Sequence, residues 1–183
     1  MRADARRNRE RILAAARELF AGEPPEVQMD DLARRAGVGV GTVYRHFPDK
    51  EALMGELVRE RFALFNEQLR LALDAPGEAS ADALAQALRA SAEGLADDAA
   101  TRFAFMSGGE RVFAHAALEA DEFMRLAEVL VRRARRAGLL APGFRAEDIP
   151  MMMCGVCSTM GRPGPGWDWR RHFELLIRGM RAR

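Results

Sequence analysis

Apolar residues recur along this 183-residue chain at intervals of three and four, the period of a helix with one buried face. No stretch of useful length alternates apolar and polar positions as a half-buried strand would, and no 20–50-residue unit repeats. Ala5 to Phe20 sets Ile12, Ala16, Leu19 and Phe20 on one face before Gly22-Glu23-Pro24-Pro25 ends the helix. Two short helical stretches follow within residues 28–47. Asp49 then opens a long helix to about Leu73, with Leu53, Leu57, Phe62, Phe65 and Leu69 as its stripe. Asp49 suits an N-cap, Pro48 discourages a helical Phe47, and Ala75-Pro76-Gly77 stops the run. Further helical blocks are Ala81–Leu95, Thr101–Ala117, Asp121–Ala137, Glu147–Met160 and Trp169–Met180. Their separators are Ala137-Gly138 through Pro142-Gly143 and Gly161-Arg162-Pro163-Gly164-Pro165-Gly166. The predicted fold is all-α. A three-helix N-terminal head spans residues 1–50, and a larger C-terminal helical domain spans 51–183, linked by the long helix of about 49–73.

The two short helices have the features of a helix-turn-helix. Met29, Leu32, Ala33 and Ala36 share a face of the first, and Ala33 is small where two helices must approach closely. Gly37 allows the positive φ that a tight inter-helix turn demands. Val38 plugs the core as the chain reverses, and Val43 and Phe47, four apart, anchor the second helix. Gly41, Thr42, Tyr44, Arg45 and His46 are left largely outward, with Lys50 just beyond. That set suits DNA: arginine reads guanine bidentately, the threonine methyl touches thymine, and Tyr, His and Lys hold phosphates. Gly39 and Gly41 let the helix start press close to a groove. Two plainer readings stand beside this one: a helical hairpin within a bundle, and Tyr44 and His46 as packing groups.

Composition narrows the class. Hydrophobic residues at 49% and charged residues at 30% exclude a disordered chain. The net charge of +1 does not point to nucleic acid, but its distribution does. Arg2, Arg6, Arg7, Arg9, Arg11 and Arg17 crowd residues 1–17 against only Asp4 and Glu10, which is either a phosphate-attracting arm or a solvated helix face. Lys50 is the only lysine among 28 basic residues. No apolar run approaches the roughly 20 residues of a membrane span, and the charged start lacks a signal peptide's apolar stretch, so a cytoplasmic protein without membrane partners is expected.

The stretch Leu32-Ala33-x-x-Ala36-Gly37-Val38-x-x-Gly41-Thr42-Val43-Tyr44-x-His46-Phe47-x-x-Lys50-Glu51-x-Leu53 closely resembles the signature of TetR/AcrR-type transcriptional regulators. The resemblance implies that Gly37–Val38 is the turn, that residues 39–47 form the recognition helix, and that the long helix joins the DNA head to a ligand-binding domain. It implies that Thr42 and Arg45 face bases, while Tyr44, His46 and Lys50 hold the phosphate backbone. Two departures stand out. Gln28 replaces a threonine cap, so the first motif helix is expected to start a residue or two later. Gly39 replaces a serine, so Gly39-Val40 offers few base-reading groups. Asp30 and Asp31 suit their helix dipole but would repel phosphate, so Asp31 is expected to cap or turn away.

The resemblance further implies an apolar effector cavity built from helices within 50–140, and a homodimer through the last two helices, about 147–160 and 168–182. Ile149, Met152, Met153, Val156 and Met160 on one, and Trp169, Phe173, Leu176, Ile177 and Met180 on the other, form stripes that pack either between subunits or within one. Candidate effector contacts are Phe62, Phe65, Phe103, Met106, Phe113, His115 and Met124, whose stripes serve equally as plain core. His115 is a polar ligand contact or a structural histidine, and Ser107-Gly108-Gly109 is a hinge or a turn. Cys154-Gly-Val-Cys157 is the one rival chemical signal, either a redox or metal pair or two buried small hydrophobes. No nucleophile elbow, phosphate loop or carboxylate–histidine cluster suggests an enzyme, and no cofactor or metal is implied. The expectation is a homodimeric repressor that binds a palindromic double-stranded DNA operator and answers to a small-molecule effector.

Overall fold

The computed structural model describes residues 2–22, 27–74, 80–160, 164 and 166–182. Ten helices run through them: α1 (Arg2–Gly22), α2 (Met29–Ala36), α3 (Val40–His46), α4 (Lys50–Asp74), α5 (Ser80–Ala96), α6 (Ala99–Ser107), α7 (Glu110–His115), α8 (Ala117–Arg136), α9 (Asp148–Cys157) and α10 (Trp169–Gly179). Among the described residues the only β feature is a single bridge between Leu140 and Arg181, so the all-α expectation is borne out. The predicted breaks at Glu23-Pro24-Pro25, Ala75-Pro76-Gly77, Gly161-Arg162-Pro163 and Pro165 lie outside the described residues.

Two compact units result, Met1–Arg61 with Asp98–Ala117 and Phe62–Asp97 with Leu118–Arg183. The unit holding the helix-turn-helix therefore extends past residue 50 and takes in α6 and α7. Its core joins Ile12, Leu13, Ala16 and Phe20 of α1 to Leu32, Ala33 and Ala36 of α2, Val43 of α3, Phe47, and Leu53 and Leu57 of α4. α1 packs on α2, α3 and α6.

α2 begins at Met29, directly after Gln28, and not later as Gln28 led us to expect. Gln28 is the N-cap, and Asp31 completes a capping box, its Oδ2 accepting from the Gln28 backbone N–H at 3.1 Å. Asp31 thus caps, as anticipated. Gly37 ends α2 in the left-handed conformation (φ 62°), and the Val38 N–H donates to Ala33 O at 3.0 Å.

The single block expected over residues 101–117 is two helices. α6 starts on Asp98, which accepts from the Thr101 N–H and hydroxyl at 2.9 and 2.7 Å and from Arg61 at 2.9 Å. Burial pushes the Asp98 pKa up, but these Thr101 and Arg61 bonds outweigh it and hold the carboxyl below its ordinary value. α6 ends at Ser107, where Gly108 has no room for a side chain: a Cβ there would meet Ala104 O at 2.4 Å. Ser107-Gly108-Gly109 is therefore a turn between packed helices.

A second tight approach joins α7 to α4. A Cβ on Gly55 would lie 2.5 Å from His115 Cβ and 3.0 Å from Val112 O. Gly55→Ala is expected to destabilise this unit by about 1–3 kcal/mol through overpacking, read as a lower urea midpoint; an unchanged midpoint would show that α7 yields freely.

In the second unit, Phe123, Ala127, Leu130, Val131 and Ala134 of α8 face the core, together with Leu84, Leu88 and Leu95 of α5. α9 packs on α5 and α10. Paired hydrogen bonds join α5 to α10, from Arg89 to Glu174 at 2.5 and 2.9 Å and from Arg170 to Glu93 at 2.8 and 2.6 Å. Asp168 caps α10 through the Arg171 N–H at 3.0 Å. α9 stops at Cys157, short of the expected Met160.

Most of the stripes read as a dimer face lie inside this unit. Ile149, Met153, Val156, Met160, Phe173, Ile177 and Met180 are buried within the single chain, and only Met152, Trp169 and Leu176 are half-exposed. The outward side of α9 is a different set, Met151 (76% exposed), Cys154, Gly155 and Ser158.

Candidate nucleic-acid interface

α3 is short and fixed at both ends. Its first turn closes with the Thr42 N–H on Gly39 O at 2.8 Å, and its last with the Phe47 N–H on Val43 O at 2.8 Å. Val43 and Phe47 are buried, so the helix cannot roll without emptying the core. This orientation leaves Gly41, Tyr44 (50% exposed) and Arg45 toward solvent. Arg45 folds back along the helix, its Nε donating to Gly41 O at 3.1 Å, which pre-positions the guanidinium on the outer face. Thr42, His46 and Lys50, read from sequence as outward, are half-buried. Lys50 Nζ lies 5.3 Å from the Phe20 ring centroid, and burial lowers its pKa. His46 stands beside Phe47, with centroids 6.5 Å apart, and lines an open cleft of ≈ 480 Å³ with Arg9, Arg111 and His115.

The basic arm divides by role. Arg6 and Arg7 are exposed, Arg6 lying 3.6 Å from Glu10 and Arg7 pairing with Asp4. Arg11 donates to Gly37 O at 2.9 Å, tying α1 to the inter-helix turn. Arg17 pairs with Glu60 of α4. Arg9 reaches Glu56 at 2.6 Å and stacks over Phe47 at 5.3 Å. Half of the arm, Arg9, Arg11 and Arg17, is therefore engaged in bracing the head.

Glu56, which the sequence did not single out, is the hub of that brace. It is 2% exposed, accepts from Arg59 at 2.9 and 2.6 Å and from Arg9, and has His115 Nε2 at 3.7 Å. Burial pushes its pKa up, yet the hydrogen bonds and charges of Arg59 and Arg9 prevail and hold the carboxyl below its ordinary range. Arg111 of α7 adds a second tie, to Asp49 Oδ2 at 2.7 Å and to Glu51. Asp49 is itself the cap of α4, accepting from the Ala52 N–H at 2.7 Å.

The seven candidate effector residues fall in both units. Phe62 and Phe65 of the second unit form an aromatic cluster with Phe123, at centroid distances of 5.7–6.0 Å, and Met124 is half-buried there. Buried Asn66 donates to Glu119 O at 2.9 Å in the same unit. In the first unit Phe103 packs on Phe20 at 5.9 Å, Met106 and Phe113 are exposed, and His115 sits beside Glu56.

Cys154 is exposed and Cys157 buried on α9. Desolvation raises the Cys154 pKa, which favours the unreactive thiol over the thiolate. Among the described residues no group of three or more His, Cys, Asp or Glu side chains could hold a metal ion, and no helix is long and apolar enough to cross a membrane.

Residues 12–57 match the family model described as bacterial regulatory proteins, tetR family. An HTH-type transcriptional regulator of Staphylococcus aureus is 41% identical over 66 residues, which is 36% of this chain and 36% of that protein. The match thus spans about a third of the length of these curated relatives. Over nearly the full length, a crystal structure of a TetR transcription regulatory protein from Mycobacterium vanbaalenii is similar, with 29% identity, 99% of both chains covered and a TM-score of 0.63. A TetR transcriptional regulator from Streptomyces coelicolor has 27% identity over 95% of this chain and 98% of that one, with a TM-score of 0.61. All three are described as transcription regulators.

Proposed function

We infer that this chain belongs to the tetR family of bacterial regulatory proteins and acts as a homodimeric repressor that binds a palindromic operator and is released by a small-molecule effector. The observation that carries the reading is the outer face of α3, where Tyr44 and a pre-positioned Arg45 stand on a helix locked by Val43 and Phe47. Thr42 and Arg45 take the base-reading role. Tyr44, His46 and Lys50 take phosphates, with exposed Arg6 and Arg7 adding sequence-independent attraction.

One seven-residue helix reads few base pairs, so two copies on half-sites about 34–36 Å apart supply the specificity. The uncharged outer side of α9 suits that dimer: Met151 offers apolar area, while Cys154, Gly155 and Ser158 are small enough for close helix approach. Gly155→Arg is expected to yield monomers by sedimentation and to lower operator affinity at least about tenfold, since half-site binding loses its linked partner; a dimer of unchanged stability would move the interface elsewhere. The effector relieves repression if it binds the DNA-incompetent spacing of the heads more tightly than the competent one.

Mobility-shift titration on the chain's own upstream DNA is the direct test. Arg45→Ala is expected to relax preference at one base pair by about 1–3 kcal/mol, whereas Lys50→Ala weakens all sequences alike and lowers the salt slope by about one. Equal specificity ratios for Arg45→Ala and the parent would remove Arg45 from the base-reading set.

A further inference from the structure

α3 carries an apolar side chain for which the repressor reading has no role. Val40, its first residue, is 43% exposed and one turn from Tyr44 on the same side of the helix. A β-branched residue in that position does little for the helix itself.

Its neighbours make it conspicuous. Gly39, the N-cap, and Gly41, inside the helix where a glycine weakens it, flank Val40. Neither glycine is needed for the fold. Gly39 has φ −69°, ordinary for any residue, and Gly41 is not among the positive-φ glycines. A Cβ at Gly41 would meet nothing within 4 Å, and one at Gly39 would meet only Thr42 Oγ1 at 4.0 Å. Contrast Gly37, which the turn demands, and Gly55, where α7 leaves no room. The bare positions on each side of Val40 therefore clear space for something outside the protein. The isopropyl group stands between them, exposed to such a partner.

In the major groove one base presents an apolar group, the 5-methyl of thymine, and the first residues of a recognition helix are those that reach base edges. We propose that Val40 packs against a thymine methyl in each operator half-site, so the DNA partner carries thymine at that position. The inference rests on α3 being the recognition helix. It adds an apolar contact to the polar readout by Thr42 and Arg45, and it gives Gly39 and Gly41 their purpose.

The test uses the full chain. Operator duplexes are selected from a random pool, and each thymine of the half-site is replaced singly by deoxyuridine, which removes the methyl and keeps the pairing. At one position the uracil duplex should bind about fourfold more weakly, the worth of one buried methyl-sized group. Val40→Ala, an exposed substitution checked by its melting curve, should bring that ratio to about one while leaving the Arg45-dependent base preference in place. Loss of the methyl without effect at every position overturns the proposal, and so does a Val40→Ala chain in which every uracil penalty survives. A pool that yields no preferred sequence instead overturns the reading of α3 itself, and this inference with it.

Discussion

Phe47→Ala should lower the stability of the first unit by about 3–5 kcal/mol, the range for emptying a buried aromatic site. Phe47 is buried, its N–H closes the last turn of α3, and its ring carries the Arg9 guanidinium on one face and His46 beside it. Truncation therefore removes core volume and a cation–π partner together, while the backbone N–H that closes α3 on Val43 O stays in place. The expected readout is a large fall in the urea midpoint of the transition reporting this unit, with DNA binding lost. Phe47→Leu, which keeps most of the volume, should recover the greater part of the stability. A loss below about 1 kcal/mol for the alanine variant would mean that the site collapses around the gap, against a rigid, close-packed interior.

Glu56→Ala should come next, at about 2–3 kcal/mol. Breaking a buried ion pair typically costs about 3–5 kcal/mol. Here Arg9 and Arg59 are each about one-third exposed, so water takes up part of their charge. The same carboxylate sets a pH dependence with a definite sign. Its pKa is depressed in the folded chain, so its contribution is complete above the ordinary value of 4.5 and is lost as pH falls through the depressed one. Asp98 acts in the same direction below its ordinary 3.8. Urea midpoints measured from about pH 6 down to about pH 3 should fall for the parent and fall less steeply for Glu56→Ala. Parallel curves would show that Glu56 does not carry the acid sensitivity.

The frame of the helix-turn-helix was legible because each of its parts is local. Met29, Leu32, Ala33 and Ala36 mark one face, Gly37 marks the turn, and Val43 and Phe47 mark the return. The cap of α2 was half legible: the sequence left Asp31 either to cap or to turn away, and its carboxylate reaches back to the Gln28 N–H. Glu56 escaped altogether. Three residues before Arg59 on a helix, it has the spacing of a solvated surface pair. Only tertiary packing brings Arg9 and His115 to it and removes water. Periodicity in α9 and α10 announced buried faces correctly but could not say which chain covers them. Ile149, Val156, Phe173 and Ile177 turned out to be covered by their own subunit. The candidate effector residues lack an address for the same reason: aromatic stripes do not say what they face, and these divide between the two compact units.

Lys50 gives the chain a chemical handle. It is the single side-chain amine in a sequence that otherwise draws its positive charge from arginine. Burial lowers its pKa and so enlarges the fraction present as free base, the form that attacks an activated ester. Amine-selective acylation in mild alkali thus has one side chain to modify, at the foot of the recognition helix, besides the α-amine of the chain's N-terminus. The charge economy of this protein leaves a reporter site beside the surface proposed to meet DNA.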